Sequence, residues 1–176
     1  MKLPFLALAA LVPALSLPAR AQSRSDARPG VELGYLRFSS RLTSDTFGGN
    51  GLSISPAFGP IATGTKRGST QSDFGVNISR GNGNTLVIVP LGVRYIKALG
   101  DGATRPYVGG SVDLAPTYSR IQTQNLGGKV SFAAGGSAFV GLALSNRLNL
   151  EARYFALSKV RGYDLSHTQI ALGLRF

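Results

Sequence analysis

The chain contains no cysteine. A disulfide framework, a cysteine-ligated metal site and a lipid-modified N-terminal cysteine are therefore excluded. The lack of cysteine suits an exported protein, which avoids oxidative cross-linking on its route out of the cell.

Long hydrophobic runs and charge are also scarce. Beyond residue 21, no window approaches the 18 or so continuous apolar residues that a transmembrane helix requires. Charged residues make up 15% of the chain and hydrophobic residues 43%. Helical periodicity is nearly absent, because Gly, Ser, Thr and Asn interrupt every candidate helix. A glycine-rich, weakly charged and alternating chain is typical of an all-β protein.

Acidic residues are few, with 8 against 19 basic residues and a net charge of +11. The basic residues form no cluster, since Lys66-Arg67 is the sole adjacent pair. A nucleic-acid-binding stripe needs such clustering, so we predict no nucleic-acid partner.

The N-terminus has the three parts of a secretory signal peptide. Lys2 precedes the apolar stretch 3–17, and Ala19 and Ala21 form an A-x-A cleavage site. We predict cleavage before Gln22, which leaves 17 basic and 8 acidic residues in a chain of net charge +9. The predicted domains are a signal peptide (1–21), a polar leader (22–29) and a β-domain (30–176).

The β-domain contains eight segments with a period of two, which is the repeat of a strand with one apolar face. Eight strands average about 19 residues each with their connections, whereas six would leave long structureless loops. Pro90 is awkward within the fourth strand because it cannot donate a ladder hydrogen bond. The predicted strands are 30–38, 51–58, 72–79 (starting anywhere from 64 to 73), 85–96, 107–118, 130–145, 148–157 and the terminal 169–176.

The face opposite the apolar one carries mostly Gly, Ala and Ser, together with charges of both signs. Small residues suit the cramped interior of an eight-stranded barrel, where buried charges must balance. Asp73 and Arg67 are a possible further pair. Surface salt bridges on a soluble sheet remain an alternative explanation. The predicted lumen charges are Glu32, Asp113 and Glu151 against Arg94, Arg153 and Arg175.

The apolar face then contacts lipid, which requires a closed barrel because unpaired sheet edges do not survive there. The last strand, QIALGLRF, should pair with the first strand, around 31–38, and with the seventh. Aromatic rings near strand ends fit interfacial girdles, although ordinary core aromatics at sheet edges remain an alternative. These rings are Tyr35, Tyr95, Tyr118, Tyr154 and Phe176.

The signal peptide, the eight strands and the terminal QIALGLRF resemble the small bacterial outer-membrane barrels of the OmpX/OmpA type. The segments PYVGGSVDLAP and RLNLEARYF are similar to the fifth and seventh strands of such barrels. The resemblance covers roughly residues 30–176. Departures from the family pattern are Pro90, the absence of tryptophan and the strongly basic balance.

The resemblance implies a closed up-and-down antiparallel transmembrane β-barrel in the outer membrane, with both termini in the periplasm. Ile170, Leu172, Leu174 and Phe176 would form the signal read by the barrel-assembly machinery. Loops near 39–50, 80–84, 119–129 and 158–164 would be extracellular. The implied partners are outer-membrane lipid and lipopolysaccharide, the assembly machinery and periplasmic chaperones, and the protein would be a monomer.

No catalytic constellation is evident. His167 is the single histidine, and its neighbour Ser166 would point to the opposite face of a strand. The His-x-Ser spacing of barrel lipid A deacylases is absent. We predict no catalytic residue, no cofactor and no metal, and a structural or surface-interaction role through the loops. A lipid A-modifying enzyme using His167 and a soluble periplasmic lipocalin-like binder or β-sandwich remain alternatives.

Overall fold

The computed structural model describes residues 29–58, 68–100, 102, 104–122 and 126–176. The predicted cleavage site (Ala19, Ala21 and Gln22) and Arg67 lie outside these residues. The described elements are β1 (Pro29–Phe38), α1 (Arg41–Phe47), β2 (Asn50–Phe58), β3 (Ser69–Phe74), β4 (Val76–Gly81), β5 (Asn84–Ile88), β6 (Leu91–Ala98), β7 (Arg105–Ile121), β8 (Leu126–Ala143), β9 (Leu148–Leu157) and β10 (His167–Arg175).

These segments form a closed barrel of eight antiparallel strands. β3 and β4 together make the third barrel strand, and β5 and β6 together make the fourth. β10 pairs with β1 on one side and with β9 on the other, so the last strand closes the barrel. The predicted class, strand number and partners of the terminal strand are therefore confirmed.

The register of the pairings sets the dimensions of the barrel. Starting at Val130 on β8 and crossing from partner to partner around all eight strands, the path returns to β8 at Val140. A displacement of ten residues over eight strands corresponds to a strand tilt of about 40° and a radius of about 8 Å. An interior of that width is filled by side chains.

Two of the eight barrel strands are interrupted at adjacent positions. β5 ends before Val89-Pro90, because proline has no N–H to donate to the ladder. The Gly75 N–H donates to the Pro90 carbonyl at 3.2 Å, and the Val89 N–H donates to the Pro116 carbonyl at 2.9 Å. The continuous strand predicted over 85–96 is thus wrong. Unbroken alternation would place Val89 on the exposed apolar face with Val87 and Leu91, but Val89 is buried.

Other boundaries also differ from the prediction. The region 39–50 is not simply a loop, since it contains α1, whose N-cap Ser40 accepts a hydrogen bond from the Thr43 N–H. The loop predicted over 119–129 is mostly strand, because the pairing of β7 with β8 continues past a register shift between Ser119 and Ile121. The sixth strand ends at Ala143 rather than at residue 145. The polar composition of 119–129 predicts a loop, but the pairing between β7 and β8 extends the strands into this region.

We call the end of the barrel that holds Pro29 and Arg175 the terminal end, and the end that holds α1 the loop end. The outer surface of the barrel wall is apolar and exposed between these two ends. Within the described residues, no helix is long and apolar enough to cross a membrane. The most exposed outer side chains include Leu33, Leu52, Ile54, Val93, Val112, Leu114, Val140, Ile170 and Leu172.

Candidate functional site: a polar chamber below an apolar plug

The barrel interior has two layers of different chemistry. Towards the terminal end, charged and amide side chains line a polar chamber. Towards the loop end, buried apolar side chains form a continuous cluster, which we call the plug. The alternation along a strand determines whether a side chain points inward. Whether that side chain then lines the polar chamber or joins the plug depends on its position along the barrel axis.

Glu151 on β9 is the centre of the polar chamber. Its Oε2 accepts from Arg94 Nη2 at 2.7 Å and from the Tyr107 hydroxyl at 3.0 Å. Its Oε1 lies 3.4 Å from Arg153 Nε. Because all four side chains are buried, each ionic partner replaces hydration that the other has lost.

Arg153 extends the network to the third barrel strand. Its Nη2 lies 2.9 Å from Asp73 Oδ2, and its Nη1 donates to Asp73 Oδ1 at 3.3 Å. A guanidinium fork that meets both oxygens of one carboxylate fixes the two walls relative to each other. Among the described residues, the ion-pair partner of Asp73 is Arg153. Arg67, which we predict as a possible partner of Asp73, lies outside these residues.

Glu32 and Tyr107 are joined through an amide. Asn149 Nδ2 donates to Glu32 Oε1 at 3.4 Å and to the Tyr107 hydroxyl oxygen at 3.1 Å. The ring of Tyr107 lies against Gly141, where any Cβ would collide with it. Arg175 from β10 is buried and lines the same chamber.

Asp113 differs from the other predicted lumen charges. Its Oδ2 accepts from the Ser111 hydroxyl at 2.5 Å, and Ser111 in turn lies 2.6 Å from the Ser137 hydroxyl. In the part of the chain that the structure describes, no arginine lies within ion-pair distance of Asp113. Of the six predicted charges, Arg94, Glu151 and Arg153 thus share direct ion pairs, and Glu32, Asp113 and Arg175 line the interior beside them.

Two phenylalanine rings lie where the chamber meets the plug. The guanidinium of Arg94 lies 4.4 Å from the centroid of the Phe139 ring, and that of Arg153 lies 4.9 Å from the rings of both Phe139 and Phe155. Cation–π contacts of this kind let an apolar ring cover a buried charge. We had assigned mostly small residues to the inner face of β8 and missed Phe139.

The plug is built from strand residues of the loop end together with α1 and the segment 158–166. Phe47 at the end of α1 is fully buried, and its ring meets Tyr163 edge-on at 5.1 Å. Thr43 Oγ1 donates to the Asp164 carbonyl at 2.7 Å, which ties the helix to that segment. The other members of the plug are Leu36, Phe38, Leu86, Ile88, Ala115, Ile121, Ala133, Phe155, Leu157, Val160 and Leu165.

His167 belongs to the base of this plug. It stacks on Phe155 at 4.7 Å and meets Phe38 edge-on. Its Nδ1 lies 2.8 Å from the Leu165 carbonyl, which accepts only, so Nδ1 carries the proton and Nε2 accepts from Asn77 Nδ2 at 3.2 Å. His167 is fully buried.

Ser166 does not pair with His167. Its hydroxyl contacts the backbone of Leu157 on β9. Among the described residues, no set of three or more His, Asp or Glu side chains could hold a metal ion. The hydrogen bonds of His167 are those of a satisfied core residue.

The predicted assembly residues lie on the outer face of the last strand. Ile170, Leu172, Leu174 and Phe176 are all exposed, and Phe176 most of all at 73%. The Phe176 N–H donates to the Pro29 carbonyl at 3.0 Å, so even the final residue is joined to the first strand.

No protein-family model matches the chain, and no curated protein matches it by sequence. Solved structures do match. The chain aligns with the crystal structure of Neisserial surface protein A (NspA) at a TM-score of 0.59 and 16% identity, over 88% of this chain and 100% of that one. The fold is that of the small outer-membrane β-barrels.

A second solved structure of a small outer-membrane barrel also matches the chain. The N-terminal β-barrel domain of Pseudomonas aeruginosa OprF aligns at a TM-score of 0.55 and 12% identity, over 86% of this chain and 98% of that domain. At such identities the likeness concerns the fold, and the chemistry of the interior must be read from this chain's own residues.

Proposed function

We propose that the protein is a non-enzymatic outer-membrane β-barrel that acts through its loop-end surface, in a structural, adhesion or other surface-interaction role. The observation that carries the proposal is the pairing of an exposed apolar outer wall with a filled interior. A closed barrel with such a wall is suited to lipid, where every backbone group must be paired. Its filled interior is unsuited to passing solutes.

Two features of the interior support a barrel that is closed to solutes. The apolar plug occupies the loop-end half, and the Arg94–Glu151 and Arg153–Asp73 pairs cross the terminal half. His167 and Ser166 have structural partners, so the lipid A-modifying alternative gains no support from their geometry. We therefore propose a barrel that neither conducts solutes nor catalyses a reaction.

The proposal includes biogenesis and partners. We propose that residues 1–21 are a cleaved signal peptide, that 22–29 form a periplasmic leader, and that the exposed face ending at Phe176 is the signal for the barrel-assembly machinery after transport by periplasmic chaperones. The folded protein would be a monomer in contact with outer-membrane lipid. Seven basic residues near the loop end are suited to contact with lipopolysaccharide phosphates. They are Arg37, Arg41, Arg80, Arg120, Lys129, Lys159 and Arg161.

Fractionation and gel mobility test the location and the closed barrel. We expect the protein in the outer-membrane fraction, and we expect the unboiled form to migrate faster than the boiled form. Recovery in buffer without detergent, together with no mobility shift, would support the soluble-binder alternative instead. Planar-bilayer recordings test closure, since a steady conductance in the wild-type protein is incompatible with a plugged interior.

A further inference from the structure

β8 extends beyond its neighbour β9 at the loop end. β9 stops at Leu157, which pairs with Gly135, and the Ser158 N–H makes one last bond to the Ala134 carbonyl at 2.9 Å. Beyond this point residues 129–133 pair with β7 alone. One edge of β8 is therefore without a neighbouring strand.

The direction of the backbone groups on this edge follows from two hydrogen bonds. The Ala134 carbonyl faces Ser158, so the even-numbered residues of β8 direct their backbone groups away from β7. On β7 the Pro116 carbonyl likewise faces Val89, away from β8. The N–H and C=O groups of Val130 and Phe132 thus point to the open side, where no described residue hydrogen bonds to them.

The open edge lies far from the terminal end of the barrel. From the exposed Leu144 at the terminal end to Ala134 is ten residues, which at the tilt of this barrel is a rise of about 25 Å. The apolar band of outer-membrane barrels is about 25 Å tall. The edge therefore stands beyond the band, where unpaired backbone groups are tolerated because hydrocarbon does not surround them.

The side chains of the edge are apolar on the outer face and basic around it. Val130 is 49% and Phe132 66% exposed. Lys129 lies on the edge itself, and Lys159 follows Ser158 at its lower end. No Asp or Glu occurs anywhere between Asp113 and Glu151 in the sequence. A second copy of this edge would place two basic surfaces together, whereas an acidic strand would neutralise them.

We propose that the β8 edge from Gly128 to Phe132 is a strand-addition site for an extended, acidic segment of another protein. The added strand would bond to the backbone of Val130 and Phe132, place apolar side chains beside theirs, and direct carboxylates to Lys129 and Lys159. This inference rests on the proposed surface role, because the edge stands at the loop end.

The probe is a labelled eight-residue peptide of alternating valine and glutamate, added to the folded full-length protein in detergent and followed by fluorescence polarisation. We expect saturable binding, and binding at least about tenfold weaker for the same peptide N-methylated at alternate residues, which cannot form the ladder. An alternating valine–lysine peptide should bind more weakly than the glutamate peptide.

Two variants locate the site. Val130→Pro removes an N–H that serves no ladder, so the barrel keeps its fold while affinity falls about tenfold. Lys129→Glu should lower the affinity for the glutamate peptide and raise the affinity for the lysine peptide. Lys97→Glu is a matched charge reversal on β6 at the terminal end, and it should change neither peptide affinity. The faster gel mobility of each unboiled variant verifies that it is folded.

Several results would overturn the inference: no saturable binding, equal binding of the N-methylated peptide, unchanged affinity in Val130→Pro, or equal effects of Lys129→Glu and Lys97→Glu. Disulfide-linked dimers of a Val130→Cys variant, in a chain with no other cysteine, would assign the edge to a second copy instead. Peptide binding is measured in detergent and location by fractionation, so a failure here is distinguishable from a failure of the proposed function.

Discussion

Replacing Glu151 with Ala tests whether buried charges hold the barrel together. Glu151 sits 2.7 Å from Arg94 and 3.4 Å from Arg153, and the side chains are 3–10% exposed. The substitution removes the ion-pair partner of Arg94 and leaves Arg153 paired with Asp73 alone. Breaking a buried pair by removing one partner costs about 3–5 kcal/mol, because the remaining charge stays desolvated. We expect a loss of that order in the free energy of unfolding.

The assay is urea unfolding of the barrel refolded into lipid vesicles, followed by the gel mobility shift and by tyrosine fluorescence. The matched control is Asp45→Ala, which breaks the Arg41–Asp45 pair on α1, where the two side chains are 95% and 70% exposed. Exposed pairs contribute about 0–1 kcal/mol, so the control should be nearly neutral. Equal losses in the two variants would refute the claim that burial makes the Glu151 pairs important.

Three further predictions follow from the plug, the terminus and the loop. Phe47→Ala should lower the unfolding free energy by about 3–5 kcal/mol through the cavity it leaves, and an unchanged urea midpoint would contradict the plug. Deleting Phe176 should reduce heat-modifiable protein in membranes more than it reduces secreted protein, whereas an equal fall in both would argue against an assembly signal. The Ser166 backbone N–H and hydroxyl lower the pKa of Asp164, so its charge stabilises the segment above about pH 4, and this contribution disappears as the pH falls through the lowered pKa. The stability advantage of wild type over Asp164→Asn should therefore shrink in acid, and a constant difference would contradict it.

The alternation of side chains was enough to predict most of the barrel wall. A strand exposes alternate residues to opposite faces whatever surrounds it, so Ile170, Leu172 and Leu174 could be placed on one face before any partner was known. The balance of positive and negative charges on the other face indicated a closed interior, because unbalanced charges are costly to bury. Residues such as Arg94 and Glu151 could thus be assigned to the lumen, although their pairing could not.

The height of a residue in the barrel was not predictable. Glu32 and Leu36 share one face of β1, yet Glu32 lines the polar chamber and Leu36 belongs to the plug. That difference depends on the strand tilt, which is a property of the whole closed sheet. The inner apolar residues and Phe139 were missed because nothing in the local pattern separates the two layers.

By itself, the sequence determined the all-β class, the eight-strand rhythm and the two faces of the wall, because side-chain periodicity and turn chemistry act over a few residues. Only the tertiary structure decided where Pro90 and Gly75 interrupt the strands, that α1 and 158–166 close the loop end, and that one edge of β8 stands unpaired. These features depend on which strands lie side by side and how far each is displaced along the next, and that register is set by contacts between residues distant in the chain.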